Sequence, residues 1–213
     1  MDYLEFRNSA QGFPLVISRD IMLREKNKQA IRNQLERWSF RKLLIKLKRG
    51  VFILNQNDRK INPSRAYIAN QLYAPSYVSL EYALNYYDLI PERVSDLTSI
   101  TTKKTMRFVN DLGTFIYQHI NPKAFRGFKA LKDEAGLNFL IAEPEKALVD
   151  FFYLNLSRFQ GDYSGIFEES YRLQNTEALK TKRLMEFAGL FGSKKLTRVC
   201  RGFCKFIKKE GGR

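Results

Sequence analysis

The sharpest pattern of apolar and polar positions begins near residue 27. Ile31, Leu35 and Trp38 recur at the i, i+4 and i+7 spacing of one helix face, which predicts a helix whose apolar face is buried. Apolar and basic residues then alternate on both sides of Lys48-Arg49-Gly50. That alternation predicts two short strands joined by a tight hairpin. A short helix followed at once by a hairpin is the pattern of a winged helix-turn-helix.

The polar side of the predicted helix carries Gln29, Arg32 and Asn33. Planar amide and guanidinium groups match the donors and acceptors on base edges in the major groove of DNA. In the hairpin, alternation places Lys46 and Lys48 on one face, where they are expected to contact phosphates. An ordinary solvated surface is the alternative interpretation. The full set of predicted DNA contacts is Lys28, Gln29, Arg32, Asn33, Arg37, Lys46, Lys48 and Arg49.

The rest of the chain predicts an α+β fold, with a mixed α/β domain after the winged helix-turn-helix and a helical, basic tail at the end. Residues 55–63 are rich in turn-forming residues, which suggests a domain boundary there. We therefore expect domains at 1–60, 61–171 and 172–213. Strands are expected at 94–101 and 138–142, a hairpin at 107–120, and a helix from Pro144. The expected tail helices are 176–192 and one that follows Ser193, with an apolar stripe formed by Leu196, Val199, Cys200, Phe203 and Ile207.

Charge is unevenly distributed along the 213 residues, whose formal net charge is +15. Residues 1–60 hold 14 Lys and Arg against 6 Asp and Glu, and residues 172–213 hold 12 against 3. The segment between them holds 11 against 13. Basic ends around a neutral middle indicate a polyanionic partner, with better solubility as the alternative. The tail is expected either to extend the contact with DNA or to dock on an acidic RNA or protein.

Several function classes lack their sequence signatures. There is no apolar run long enough for a membrane span and no signal peptide, so we expect a cytoplasmic protein that contacts no membrane. Phosphate-binding and dinucleotide-binding glycine motifs are absent, and His119 has no second histidine nearby. Cys200 and Cys204 lack the further ligands of a zinc site. We therefore expect no catalytic residues, no metal, no cofactor and no enzymatic activity.

Three segments of the middle of the chain follow the hairpin residues 47–52 (LKRGVF) in a specific order. They are residues 75–92 (PSYVSLEYALNYYDLIPE), 98–101 (TSIT) and 140–150 (LIAEPEKALVD). Together they resemble the AbiEi antitoxins of bacterial abortive-infection toxin–antitoxin pairs, over roughly residues 14–155. The last 55 or so residues carry no such resemblance.

This resemblance implies a transcriptional repressor that takes part in phage defence. Its N-terminal winged helix-turn-helix would bind inverted repeats of double-stranded DNA in its own promoter. Its α/β domain would counteract a nucleotidyltransferase-like toxin, directly or indirectly, as in type IV systems. Two alternatives remain open: a stand-alone transcriptional regulator of a mobile element, and an enzyme or RNA-binding factor that acts on nucleic acid.

One further group of residues mixes charge with an aromatic ring and is a candidate toxin-facing or ligand-facing surface. The alternative interpretation is structural, because acidic side chains are favoured in the first turn of a helix. This group comprises Tyr77, Glu81, Glu143, Glu145 and Lys146.

Overall fold

The computed structural model describes residues 2–23, 27–160, 163 and 165–210. Its mixed α+β fold contains two separate sheets. The first sheet has three antiparallel strands in the order β1-β3-β2. The elements around it are α1 (Tyr3–Ala10), β1 (Val16–Ile17), α2 (Ser18–Met22), α3 (Lys28–Phe40), β2 (Leu44–Lys48) and β3 (Val51–Leu54).

The helix and hairpin predicted from residue 27 onward are confirmed. The side chain of Asn27 accepts a hydrogen bond from the backbone N–H of Ala30, which satisfies one of the free donors at the start of α3. The predicted apolar face of α3 is buried. Gly50 closes the hairpin at φ +78°, a left-handed conformation that glycine adopts without the steric cost of a Cβ atom.

The second sheet has six strands in the order β6-β7-β5-β4-β9-β8 and mixes parallel with antiparallel pairs. The predicted 107–120 hairpin and the 138–142 strand are confirmed, whereas β4 and β8 were not predicted. The elements of this part are α4 (Arg65–Leu72), β4 (Ser76–Val78), α5 (Leu80–Tyr86), β5 (Leu97–Thr101), β6 (Met106–Asn110), β7 (Gly113–His119), β8 (Phe128–Lys132), β9 (Asn138–Ala142) and α6 (Pro144–Leu154).

Helices cover both faces of the six-stranded sheet. Tyr117 on β7 donates its hydroxyl to the carbonyl of Ala69, which places α4 over one face. Tyr77 on β4 donates to Asp150 of α6, which places α6 over the other face. The sheet core is therefore shielded from water on both sides, as a mixed sheet with crossover connections requires.

The C-terminal part is helical, and α7 (Thr181–Gly189) and α8 (Lys194–Glu210) pack on α6 and on each other. Ser193 caps α8 by accepting the N–H of Leu196, as the sequence predicts. The whole predicted apolar stripe of α8 is buried. The helix expected at 176–192 is shorter, because a 3-10 turn at Thr176–Ala178 precedes the start of α7.

The β2–β3 hairpin lies between two apolar clusters. Phe52 and Leu54 belong to the cluster of the N-terminal helices, whereas Val51 and Ile53 belong to the core of the six-stranded sheet. β3 is therefore buried on both of its faces. Strand β2 lies beside β6, where the amide of Asn110 donates to the carbonyl of Leu47 over 3.1 Å. The domain boundary near residue 60 stays a prediction. The hairpin packs against the N-terminal helices, which precede this boundary, and against the six-stranded sheet, which follows it.

Candidate nucleic-acid interface

The predicted base-reading side chains are exposed on one face of α3 and form a hydrogen-bonded row. The amide of Gln29 donates to Asn33 over 2.9 Å, four residues along the helix. The guanidinium of Arg32 donates to Gln29 over 3.4 Å. Because the side chains at i, i+3 and i+4 are neighbours on a helix, this row places three planar polar groups side by side on an exposed face.

Cations surround this row. Lys28, Arg37 and Arg49 are exposed, and none of them forms an ion pair within the described part of the chain. Lys46 differs, because its ammonium pairs with the carboxylate of Glu36 at 2.7 Å and ties β2 to α3. The backbone N–H groups in the first turn of α3 also carry partial positive charge, which adds to the positive potential that Lys28 creates at this end of the helix.

A cleft of about 520 Å³ lies between α2, α3 and the turn of the hairpin. Met22 and Leu35 contribute apolar surface to its lining. The charged lining residues are one acid, Glu36, and four bases, Arg19, Arg32, Lys48 and Arg49. Arg19 was not among the predicted contacts, although a basic residue at the start of a short helix beside the hairpin was a usable signal. Basic residues outnumber acidic ones in the lining by four to one, which gives the cleft a positive character suited to a phosphate group.

The prediction for Lys48 is wrong in its direction. The pairing of β2 with β3 shifts register between Lys46 and Lys48, and this bulge breaks the strict alternation on which the prediction depended. The ammonium of Lys48 donates instead to the carbonyl of Leu72 at the end of α4. Burial, with a smaller effect of Lys103, lowers the pKa of Lys48. Lys48 therefore joins the hairpin to the six-stranded sheet region, and this bond draws its ammonium away from the face that carries Lys46.

The candidate toxin-facing group is likewise mostly buried. Tyr77 and Lys146 have no exposed surface, and Glu145 is 6% exposed and accepts the N–H of Lys180 at 2.9 Å. Glu143 is partly exposed, but its two carboxylate oxygens accept hydrogen bonds from Nε and Nη2 of Arg183, at 2.6 and 2.5 Å. Of the five residues, only Glu81 is partly exposed with no such partner in the described residues. A shared surface for a toxin or a ligand is therefore not formed by this group.

Two members of this group, Tyr77 and Lys146, instead belong to a buried polar cluster around Asp150. Its carboxylate accepts hydrogen bonds from Tyr77 and Ser79, both at 2.9 Å, and forms an ion pair with Lys146 one helical turn away. Burial raises the pKa of Asp150, although its three donors oppose the shift. Burial lowers the pKa of Lys146, and Asp150 opposes that shift. The i, i+4 spacing of Lys146 and Asp150 was the sequence signal for this pair.

No family model matches the chain, and no curated protein matches it. Within the described residues, no helix has the length and apolar character needed to cross a membrane. The same residues contain no group of three or more His, Cys, Asp and Glu side chains placed to hold a metal ion.

Proposed function

We propose that residues 1–60 form a winged helix-turn-helix that binds duplex DNA, and that the chain is a DNA-binding antitoxin which represses its own operon. The single observation that carries this proposal is the row of Gln29, Arg32 and Asn33 on α3, exposed beside cations that form no ion pair within the described residues. The order helix, strand, helix, helix, hairpin supports it, because this is the order of elements in a winged helix-turn-helix.

Binding would proceed in two physical steps. The positive field of Lys28, Arg37 and Arg49 attracts the phosphate backbone and releases its counterions, without regard to sequence. The row on α3 then exchanges its internal hydrogen bonds for bonds to base edges, because amide and guanidinium groups pair with adenine and guanine in two-bond geometry. Affinity therefore comes largely from the cations, and sequence selectivity from the row.

The antitoxin part of the proposal rests on the resemblance of the middle segments to AbiEi antitoxins. The segment 140–150 is distant in sequence from the other two, yet all three adjoin in the fold, where β4 pairs with both β5 and β9. Segments that resemble one family and pack into one unit support the proposal better than scattered matches would. A nucleotidyltransferase-like gene next to this one would favour the antitoxin over a stand-alone regulator.

The test of DNA binding is a titration of the full chain against its own upstream region and against a scrambled duplex of equal length and composition. Fluorescence anisotropy at several salt concentrations would give both affinities. We expect the upstream region to bind at least about 10³-fold more tightly, as for other specific DNA-binding proteins at physiological salt. Equal affinity for both duplexes would contradict sequence-specific repression.

The hairpin offers a matched pair of variants, since Lys48 and Arg49 are adjacent cations with different surroundings. Arg49→Ala is expected to weaken binding to both duplexes and to reduce the slope of log affinity against log salt by about 1, because one phosphate contact is lost. Lys48→Ala is expected to leave that slope unchanged and to lower the free energy of unfolding by about 1 kcal/mol, because its bond to Leu72 is lost. Anisotropy measures the slope, and urea denaturation measures the stability. A change of slope in Lys48→Ala alone would contradict the assignment.

A further inference from the structure

The outward face of α8 carries a straight row of cations, here called the α8 stripe. At 100° per residue its members fall within about 80° of one another, directly opposite the buried apolar stripe. All five are exposed, and none forms an ion pair within the part of the chain that the structure describes. The row spans about 21 Å along the helix, at a rise of about 1.5 Å per residue. The α8 stripe consists of Lys194, Arg198, Arg201, Lys205 and Lys208.

The α8 stripe lies far from the interface on α3. Phe187 of α7 packs against Gly127, just before β8, and Arg183 of α7 binds Glu143, just after β9. The tail helices therefore sit at the β8–β9 side of the sheet, whereas the hairpin lies beside β6 at the opposite edge. Five steps between strands separate the two edges by about 24 Å. The α8 stripe and the row on α3 therefore lie on different sides of the six-stranded sheet.

We infer that the α8 stripe is a second, sequence-independent binding surface for the phosphate backbone of double-helical RNA. The stripe contains only Lys and Arg, so it has no amide with which to read bases, and its partner is recognised by charge and shape. Single-stranded nucleic acid is less well matched, because proteins bind it through exposed aromatic rings, which the stripe lacks. A protein partner is less well matched for a similar reason, because the centre of a protein interface is apolar and aromatic.

The choice of RNA over a second DNA segment rests on the proposed function. The N-terminal unit already supplies a DNA interface with base-reading side chains. A second DNA surface that lacks base-reading side chains would bind any duplex, so about 10⁶–10⁹ genomic sites would compete with the operator for the repressor. Duplex RNA offers the same phosphate chemistry in a separate molecule, which the opposite edge of the sheet can reach while operator DNA stays bound.

The test compares two triple variants of the full chain that remove the same charge. The stripe variant is Arg198→Gln, Arg201→Gln and Lys205→Gln. The control is Arg93→Gln, Lys123→Gln and Lys132→Gln, three cations that are exposed, dispersed and without an ion pair in the described residues. Probes are a labelled RNA hairpin whose stem exceeds the stripe in length, a DNA hairpin of the same sequence, the operator duplex and polyglutamate. Equal melting temperatures of the two variants show that both are folded.

We expect the stripe variant to bind the RNA hairpin at least about tenfold more weakly than the control at about 0.1 M salt, with a salt slope smaller by about 2–3. Operator affinity is expected to be equal in the two variants. Equal RNA affinity in both variants would overturn the inference, as would an equal loss of binding to the DNA hairpin or tighter binding of polyglutamate. A different result would separate the two claims. If the unmodified chain bound the operator and a scrambled duplex equally well, while RNA binding still depended on the stripe, the proposed function would be overturned and the inference about the stripe would stand.

Discussion

Replacing Lys146 by methionine is expected to lower the free energy of unfolding by about 3–5 kcal/mol, the largest effect of any substitution proposed for this protein. Lys146 and Asp150 have no exposed surface, so removing the ammonium leaves a carboxylate buried without its counter-charge. Tyr77 and Ser79 still donate to Asp150, but neutral donors do not compensate for the loss of a cation at a fully buried carboxylate. Urea denaturation followed by circular dichroism measures the change.

The double variant Lys146→Met with Asp150→Asn separates the loss of charge balance from the loss of packing. Asparagine keeps an oxygen that accepts from Tyr77 and Ser79 but carries no charge, so the double variant is expected to be more stable than Lys146→Met by about 1–2 kcal/mol. Lys132→Met is the control, since Lys132 is exposed and its replacement should change stability by less than about 0.5 kcal/mol. If the double variant were less stable than Lys146→Met, the loss of stability in Lys146→Met would have to be assigned to poor packing of the methionine and not to the unpaired carboxylate.

The loss in Lys146→Met should also depend on pH. Burial raises the pKa of Asp150 in the folded chain, and removing Lys146 takes away the main opposing influence. The folded state then holds a proton that the unfolded state has released, in the interval from about pH 3.9 up to the raised pKa. The stability of the variant therefore falls as pH rises through this interval and approaches that of the unmodified chain in acid. A deficit that does not change with pH would mean that the carboxylate is not responsible.

Local periodicity explains which elements were predictable. α3 and α8 each repeat an apolar side at the helical period, and the period alone determines both the helix and its buried face. β4 was missed because all three of its residues are buried, so it shows no alternation. β8 was missed because its side chains are mixed and mostly exposed at the edge of the sheet.

The exposure of the candidate side chains was predictable on α3 and less so on the hairpin, for a physical reason. Alternation defines the two faces of a strand but not what covers them. Both faces of β3 are covered, by Phe6 and Trp38 of the N-terminal cluster on one side and by the core of the larger sheet on the other. The direction of Lys48 follows from this long-range packing and from a bulge. Neither leaves a signal in a single sequence.

Replacing Arg32 by alanine is expected to reduce affinity for the operator by about 1–3 kcal/mol, or roughly 5-fold to 150-fold, and to relax selectivity at one base pair. Arg32 is central to the row on α3, so the substitution removes a possible two-bond contact to guanine and also the donor to Gln29. Arg41→Ala removes the same charge about 13 Å further along the helix axis, at the C-cap of α3 and outside the row, and serves as the matched control.

The decisive quantity is the ratio of affinities for the operator and for the scrambled duplex, measured for both variants by anisotropy. Loss of charge alone weakens both duplexes alike, so Arg41→Ala should leave the ratio unchanged. Arg32→Ala should lower it, because a base contact exists only on the operator. If both variants reduced the two affinities in the same proportion, α3 would attract DNA by charge without reading it, and sequence-specific repression would have to depend on other residues.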